Sequence, residues 1–299
     1  MTNMRRMLGA AGLALLAACG GEKGPEPDIK LLDVGFADPE SVLHDSVADV
    51  YLVSNLNGSP LDKDGNGFIA RVLPSGDTAN MHWLGSGGNR GMLNAPKGMG
   101  IVADTLYVAD IDVVRRFHRV TGAMLGEVPI PGSTFLNDIA TGPDGSVYVT
   151  DMGLKMGGGR MEASGSAAIH RILPGGRVQT LAKGPEVGTP NGIVVDADGT
   201  VTIAGYTTGE VVRIAPNGTR TVIPAPRRGQ LDGLVRERDG ALLVSDWKRS
   251  AVYRVRPDAE PEIAVPNLPS PADIGYDARR NRLLVPLMTV NRVEIYALP

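Results

Sequence analysis

The chain has 299 residues, of which 42% are hydrophobic and 4% aromatic, and its formal net charge is −3. A chain without a basic excess lacks the electrostatic footprint of nucleic-acid binding, so DNA and RNA are not expected partners. Its 39 glycines and 22 prolines favour many short strands joined by tight turns, because glycine supplies positive φ angles and proline ends strands.

Residues 1–18 have the pattern of an export signal. Arg5 and Arg6 precede an apolar run from Leu8 to Ala18, which is too short to span a bilayer as a helix. The run ends in Leu16-Ala17-Ala18-Cys19, which resembles the lipobox of bacterial lipoproteins and implies cleavage before Cys19 and lipidation of its thiol. The alternative is an ordinary signal peptide followed by a chance cysteine.

Residues 19–28 predict a lipidated cysteine followed by a flexible tether that contains glycine and proline. Cys19 is the only cysteine, so the exported protein would contain no disulfide even where one is permitted. Gly20, in place of an acid after the cysteine, implies sorting to the outer membrane by the same resemblance. We therefore expect a lipid-anchored protein of the bacterial cell envelope, on the periplasmic face of the outer membrane, that contacts the membrane through its anchor alone.

Beyond the tether, one unit recurs six times at intervals of roughly 40 to 57 residues, which is the period of propeller blades. The units open with Pro39-Glu40-Ser41, Pro96-Lys97-Gly98, Leu136-Asn137-Asp138, Pro190-Asn191-Gly192, Leu231-Asp232-Gly233 and Pro271-Ala272-Asp273. A parallel β-helix would have a shorter repeat, and a two-domain sandwich would not keep one register to the end of the chain. The sequence thus predicts an all-β, six-bladed β-propeller over residues 29–299, and we expect a monomer.

Each unit contains three clear strands and a weaker fourth. Second strands rich in β-branched and aromatic residues are predicted at 50–53, 106–109, 147–150, 201–204, 242–245 and 283–286. Third strands are predicted at 68–73, 113–118, 168–173, 210–214, 251–255 and 292–297. The sixth unit ends after three strands, whereas residues 29–34 belong to no unit. Because open sheet edges invite aggregation, we predict that this N-terminal segment supplies the outer strand of the last blade.

The second residue of each opening is the candidate functional position, because the start of each innermost strand of a propeller points toward the central channel. The residues there are Glu40, Lys97, Asn137, Asn191, Asp232 and Ala272. Carboxylates and amides gathered at one axis are costly to bury unless they pair or bind a ligand, and such oxygens suit calcium. The alternative is that Asn-Gly and Asp-Gly are turn dipeptides and that a water-filled channel tolerates polar linings.

The openings of blades one, three, four and five resemble the gluconolactonase/regucalcin family, also called senescence marker proteins. The resemblance extends over nearly all of residues 30–299, although its strongest motifs are short. It implies a six-bladed propeller that holds a divalent metal, usually calcium, and that in many members hydrolyses lactones. It further implies that Glu40, Asn191 and Asp232 are metal ligands, that Asn137 lies near metal and substrate, and that Asp232 is the general base.

One departure concerns the substrate. Sugar-lactone members have an arginine two positions before the third-blade asparagine, where this chain has Phe135. A phenyl ring cannot replace the hydrogen bonds of a guanidinium, so a more apolar ligand than a sugar lactone is favoured. The residues expected to contact substrate are Lys97, Phe135, Asn137 and Asp138.

The predicted function is calcium-dependent hydrolysis of lactones or related esters, with a small-molecule substrate in the channel. The alternative is a non-catalytic periplasmic propeller that binds a protein or a cell-envelope ligand. A propeller lyase or synthase is a third class, but the sequence offers no suitably placed base for it. Covalent catalysis is disfavoured, because no serine lies in a nucleophile-elbow motif and the single cysteine is predicted to be lipidated.

Three further features of the sequence also carry predictions. Lys97 is expected to bind an anionic substrate group or to form an ion pair with an acid such as Asp138. Residues 62–67 match only the first half of a calcium-binding helical-hand loop and are predicted to be an acidic turn. The glycine-rich segments at 85–91 and 157–160 are not phosphate-binding loops, because no helical pattern follows either one, and they are instead predicted to be mobile loops.

Overall fold

The computed structural model describes residues 24–86, 92–226 and 228–299. The predicted signal peptide and Cys19 lie outside these residues, as do positions 87–91 of the first glycine-rich segment. Within the described ranges, no helix is long and apolar enough to cross a membrane. Residues 24–28 have no regular secondary structure, and the first strand, β1, spans Ile29–Leu31.

The chain then forms six four-stranded antiparallel sheets, which are the blades of a propeller. The first three blades contain β2 (Pro39–Asp45), β3 (Val50–Asn55), β4 (Phe68–Val72) and β5 (Thr78–Gly85); β6 (Pro96–Val102), β7 (Thr105–Asp110), β8 (Val113–His118) and β9 (Met124–Pro129); and β10 (Leu136–Thr141), β11 (Val147–Asp151), β14 (Ala168–Ile172) and β15 (Val178–Lys183). A separate hairpin of β12 (Leu154–Gly157) and β13 (Arg160–Ala163) interrupts the third blade.

The last three blades repeat the same strand order. They contain β16 (Pro190–Val195), β17 (Val201–Gly205), β18 (Val211–Ile214) and β19 (Arg220–Ile223); β20 (Leu231–Arg236), β21 (Leu242–Asp246), β22 (Ala251–Val255) and β23 (Glu262–Val265); and β24 (Gly275–Asp277), β25 (Arg282–Leu287), β26 (Arg292–Ala297) and β1. Two short 3-10 helices occupy Pro185–Val187 and Met288–Val290. The predicted second and third strands agree with these bounds to within one residue at most positions.

The innermost strands close into a ring. They contact one another in the order β2, β6, β10, β16, β20, β24 and back to β2. At the point of closure, Ser41 pairs with Asp273 in a parallel bridge, and the amide of Asp273 donates to the carbonyl of Glu40 at 2.8 Å. The all-β six-bladed propeller predicted from the repeat is therefore confirmed.

The N-terminal strand completes the last blade, as predicted. β1 pairs antiparallel with β26, with Ile29 opposite Ile295 and Leu31 opposite Val293. Leu31 is 4% exposed and packs in one apolar cluster with residues of the first and last blades. The strand ends earlier than the predicted residue 34, because Asp33 and Gly35 adopt positive φ angles of 54° and 107° that turn the chain away.

Polar contacts reinforce the junction between the last blade and the first. The Arg280 guanidinium donates to Asp49 at 2.8 and 2.6 Å and to Asp277 at 2.8 Å. The hydroxyl of Tyr51 donates to the same Asp277 at 2.8 Å, and Nδ1 of His44 lies 3.3 Å from it. These side-chain contacts hold the first blade against the last blade.

Elsewhere, the blades are held together by apolar layers that lie between them. The strand residues that directly follow the openings belong to different interblade clusters, for example Val42, Met99 and Ile139. Alternate residues of the same strands face the channel, because side chains of a strand point to opposite faces in turn. The fold thus separates an apolar filling between blades from the polar positions around the axis.

Residues 62–67 and 157–160 both form connections between strands. Residues 62–67 form an exposed turn between β3 and β4, in which Asn66 donates to Asp64 at 2.7 Å and Lys63 pairs with Asp112 at 2.6 Å. Residues 157–160, predicted to be a mobile loop, lie outside the blade sheets, and their mobility stays a prediction. These residues form the tip of the β12–β13 hairpin, where Gly158 and Gly159 supply the positive φ angles that the turn requires.

Candidate functional site

The openings of the first five blades share a β-bulge. In each, the pairing between the innermost and second strands is interrupted after the first residue of the opening. It resumes in a shifted register two or three residues later. A bulge re-aims side chains at the end of a strand. It gives the second residue of each opening a position that regular pairing would not provide, which explains why sequence alternation alone does not locate these side chains.

Buried hydroxyls fix two of these bulges and tie them to the next blade. Oγ1 of Thr150 accepts the amide of Asp138 at 3.0 Å and donates to the carbonyl of Asn191 at 2.8 Å. Likewise, Oγ of Ser245 accepts the amide of Gly233 at 2.8 Å and donates to the carbonyl of Ala272 at 2.7 Å. Each hydroxyl therefore sets the position of one opening relative to its neighbour.

Glycine in the third place of an opening lets adjacent innermost strands approach closely. A Cβ atom on Gly192 would lie 2.4 Å from the carbonyl oxygen of Asp232, and one on Gly233 would lie 2.2 Å from the amide nitrogen of Ile274. Both distances are shorter than real contacts of a Cβ atom. Asn191-Gly192 and Asp232-Gly233 are thus strand residues whose glycines face the next blade, and they are not the turn dipeptides of the alternative interpretation.

All of the predicted oxygen-bearing side chains are buried around the channel. Glu40 is 3% exposed, Asn137 3%, Asn191 1% and Asp232 4%. Each has one oxygen without a hydrogen-bond partner in the described part of the chain: Glu40 Oε2, Asn137 Oδ1, Asn191 Oδ1 and Asp232 Oδ1. Buried polar atoms are rarely left unpaired in proteins. The four oxygens at four equivalent positions are therefore available to a ligand or to ordered water.

The carboxyls of this region raise one another's pKa values. Burial raises the pKa of Glu40 well above its ordinary value, and the negative charges of Asp232 and Asp273 raise it further, whereas Lys97 opposes the shift. Burial, followed by the charge of Asp273, raises the pKa of Asp232 to about 8. Burial also raises the pKa of Asp273 to about 7 and that of Asp138 well above its ordinary value. Such a group of acids requires either bound protons or a cation.

Lys97 lies in this ring but does not form the ion pair predicted with Asp138. Its Nζ donates to the carbonyl of Ala95 at 2.8 Å and lies 4.9 Å from the centre of the Phe135 ring. Within the described residues it forms no ion pair shorter than 4.0 Å, although the negative charge of Glu40 acts on it. Burial lowers the pKa of Lys97 to about 8, so its charge offsets at most one of the neighbouring carboxylates.

Two site residues are oriented by neighbours that the sequence analysis missed. The indole Nε1 of Trp247 donates to Oδ2 of Asp232 at 2.6 Å, which leaves Oδ1 unpaired. The amide Nδ2 of Asn137 donates to Sδ of Met152 at 3.1 Å. Both neighbours directly follow the last residue of a second strand. Comparing that position across the six units would have found them.

The donor set fits a hard divalent cation. Within the described ranges, no three His, Cys, Asp or Glu side chains form a group that could hold a metal. The candidate set is instead mixed, with carboxylates from Glu40 and Asp232 and amide oxygens from Asn137 and Asn191. Calcium accepts such a mixture together with water, whereas zinc favours nitrogen and sulfur. The unpaired oxygens are the atoms that a cation of this kind would contact.

Asp138 is placed differently from the other predicted substrate contacts. Its two oxygens accept the amides of Ile139 at 2.6 Å and Ile193 at 2.8 Å, which links the third blade to the fourth. With Ser41 and Asp273 it lines a cavity of about 500 Å³ that extends along the channel past later residues of the innermost strands, and none of the four oxygen-bearing residues lines this cavity. Direct substrate contact by Asp138 stays a prediction.

Comparisons with known proteins agree with this architecture. The SMP-30/Gluconolactonase/LRE-like region matches residues 69–285, which is more than half of the chain. A comparison with curated proteins finds no match.

Three solved structures share the fold. A structural-genomics target assigned provisionally as a gluconolactonase has a TM-score of 0.67 at 15% identity and covers 92% of each chain. A gluconolactonase from Xanthomonas campestris has a TM-score of 0.63 at 17% identity, over 93% of this chain and 98% of the other. Virginiamycin B lyase from Staphylococcus aureus has a TM-score of 0.58 at 16% identity, over 91% and 99%. Because identities this low show the fold alone, the assignment depends on the matched family region, and the chain belongs to the SMP-30/gluconolactonase/LRE-like family.

Proposed function

We propose that this protein is a cation-dependent hydrolase of lactones or related esters, with calcium held by Glu40, Asn191 and Asp232. The observation that carries the proposal is the set of four buried, unpaired oxygens at equivalent positions of four blades. Membership of a family that is generally metal-dependent supports it, as does the likeness in fold to a gluconolactonase.

Asp232 is suited to activate water. When bound, a divalent cation supplies Lewis acidity toward a carbonyl oxygen. The indole of Trp247 holds Oδ2 of Asp232, so Oδ1 would face the cation through one lone pair and would accept a proton from the attacking water through the other. Burial and the charge of Asp273 raise the pKa of Asp232 while the site holds no cation, and a bound cation would lower it again by favouring the charged carboxylate.

Asn137 is suited to stabilise negative charge that develops on the substrate. Only one of its amide hydrogens is needed for the contact with the Met152 sulfur, which is a weak acceptor. The other hydrogen can donate to an oxyanion, and a donor held in place before the reaction costs little reorganisation. The ammonium group of Lys97 donates to the carbonyl of Ala95, and its positive charge acts on the neighbouring Glu40.

Removal of the cation tests the proposal. We expect the purified protein to hydrolyse lactones, to lose at least about 90% of this activity after chelation, and to regain it when calcium is restored. A pH-stat assay on a panel of lactones and carboxylic esters measures the three states. Equal turnover with and without chelator, or no turnover on any member of a panel while calcium is bound, would contradict the proposal.

Cation affinity should depend on pH. Asp232, with a pKa of about 8, carries a proton at neutral pH that a bound cation must displace. Affinity for calcium should therefore rise by at least about tenfold per pH unit below that value, because at least one proton is displaced and Glu40, whose pKa is also raised, adds to the slope. Calorimetric titration of the metal-free protein between about pH 6 and about pH 9 measures this slope. An affinity that is constant over this range would show that the buried carboxyls are not the ligands.

The location of the protein is also a proposal. The signal sequence and lipobox resemblance favour an envelope lipoprotein whose propeller lies on the periplasmic face of the outer membrane. Retention of labelled palmitate by the intact protein, and its loss in Cys19→Ala, would support this location. The competing function is a non-catalytic propeller that binds an envelope ligand, and the absence of turnover with calcium bound would favour it.

A further inference from the structure

The residue that follows each second strand holds the same place in every blade. In five blades its amide donates to the carbonyl of the residue that precedes the opening, at 2.9 to 3.2 Å, as in Met152 to Phe135 and Trp247 to Gln230. Because innermost and second strands are antiparallel, this position lies at the same mouth of the channel as the start of the innermost strand. We call the six side chains the apolar collar: Leu56, Ile111, Met152, Tyr206, Trp247 and Met288.

All six members of the apolar collar are aliphatic, thioether or aromatic. Leu56, Ile111 and Met152 are 4%, 5% and 3% exposed, whereas the other three are half-buried. Leu56 and Ile111 form one apolar cluster against which Met288 packs, and this cluster joins the sixth, first and second blades. Because Leu56 and Ile111 are almost fully buried in this cluster, Met288 is the collar side chain that is accessible on this side of the mouth.

The other half of the collar contacts the polar residues directly. Met152 accepts from Asn137 at 3.1 Å, and Trp247 donates to Asp232 at 2.6 Å. Burial, followed by the negative charge of Asp232, raises the pKa of Tyr206, so that phenol lies within electrostatic reach of the same carboxyl. Phe135 extends this surface over Lys97.

Few hydrogen bonds are available from the collar to a ligand. Only Tyr206 and Trp247 carry a strong hydrogen-bonding group, and the single N–H of Trp247 is already donated to Asp232. A sugar lactone brings several hydroxyls, each of which is costly to bury without a partner. An alkyl chain has no such requirement and gains from contact with the collar.

We propose that the site takes esters or lactones that carry an apolar alkyl chain, with the carbonyl at the oxygen-bearing residues and the chain against the collar. This inference extends the proposed function, since it names the substrate class of the same site. Affinity should rise about three- to fourfold for each methylene that contacts the collar, until the chain outgrows it.

Binding of unreactive analogues tests the ligand class without relying on turnover. The chain has two tryptophans, so Trp83→Phe leaves Trp247 as the only indole fluorophore. Titration of this calcium-loaded variant with δ-lactams should change Trp247 fluorescence, and a pentyl-substituted lactam should bind about 100-fold more tightly than the unsubstituted ring. A polyhydroxylated lactam that binds as tightly as the pentyl lactam, or affinities independent of chain length, would overturn the inference.

A collar variant and a matched control sharpen this test. Met288→Ser shortens a half-buried collar side chain, and it should weaken the pentyl lactam about tenfold while leaving the unsubstituted lactam unchanged. Val120→Ser removes a similar apolar surface from an exposed valine outside the collar and should change neither affinity. Equal effects of the two variants on the pentyl lactam would also contradict the inference.

Turnover separates this inference from the proposed function. Hydrolysis of δ-decalactone with a higher kcat/KM than glucono-δ-lactone supports both. Preference for glucono-δ-lactone overturns the inference and leaves the hydrolase proposal intact. Tight binding of the pentyl lactam without hydrolysis of any lactone supports the ligand class and refutes hydrolysis.

Discussion

Asp232→Asn should abolish hydrolysis without destabilising the propeller. The substitution keeps the shape of the side chain but removes the base, a change that typically costs 10²- to 10⁴-fold, and we expect kcat/KM to fall by about a thousandfold. It also removes one cation ligand charge, so calcium affinity should fall in parallel. Steady-state kinetics on the best lactone, with calcium titrations of the same samples, measure both losses.

Stability distinguishes this loss from misfolding. Without a cation, Asp232 is a buried acid whose pKa is raised by burial and by its neighbour Asp273. Because a folded state with a raised carboxyl pKa loses stability as pH rises through the ordinary pKa and up to the raised one, the neutral asparagine should be at least as stable as the aspartate at pH of about 8 in metal-free protein.

An exposed acid provides the control for this experiment. Asp62→Asn alters an acid in the turn at 62–67 and should leave activity, calcium affinity and unfolding unchanged. If Asp232→Asn kept more than a tenth of wild-type kcat/KM, Asp232 would not be the general base. Full retention of calcium affinity in the same variant would remove it from the ligand set.

Leu31→Ala should destabilise the whole propeller, although the residue lies in a three-residue strand near one end of the chain. Leu31 is 4% exposed, and it packs with Val293 and Ile295 of β26, the strand with which β1 pairs to complete the last blade. Truncating a buried leucine costs roughly 2–5 kcal/mol through lost burial and the cavity left behind, and we expect about 3 kcal/mol. Urea unfolding followed by circular dichroism measures the change in free energy of unfolding.

The adjacent residue is the matched control for Leu31. Leu32 is 47% exposed, so Leu32→Ala should change the free energy of unfolding by less than about 0.5 kcal/mol. A similar effect of the two substitutions would show that β1 does not close the last blade. Unfolding of Leu31→Ala in two separate transitions, instead of one, would show that the blades do not act as a cooperative unit.

The fold was predictable because repetition reports it six times. Each unit repeats the same apolar strands at the same offsets, and a single blade cannot bury both of its faces alone. The closure was predictable from a strand count, since the last unit lacked one strand and residues 29–34 had no place in any unit. The end of β1 at Leu31 was not predictable, because it depends on positive φ angles at Asp33 and Gly35.

The site was predictable only in part. Glu40, Asn137, Asn191 and Asp232 could be singled out because the repeat places them at one position, and the structure buries all four, each with one unpaired side-chain oxygen. The orientation of Lys97 was not predictable, because it depends on the carbonyl of Ala95 and on a ring in the next blade. Contacts between blades have no constant sequence separation, so a repeat alignment does not reveal them.

The collar residues could also have been found by aligning the six repeated units. Its members occupy one aligned position, directly after the second strands, just as the oxygen-bearing residues occupy another. Apolar residues at that position look like ordinary core residues in a single unit. Only their shared location at the mouth, beside Asn137 and Asp232, distinguishes them from the layers between blades.

If the four unpaired oxygens mark a cation site, a calcium ion must lie beside them in the calcium-saturated protein. Long-wavelength anomalous diffraction from crystals of that protein tests this. We predict one anomalous peak in contact with the side-chain oxygens of Glu40, Asn191 and Asp232. A calcium-saturated crystal with no peak at these side chains, or with its only peak at the turn formed by residues 62–67, would contradict it.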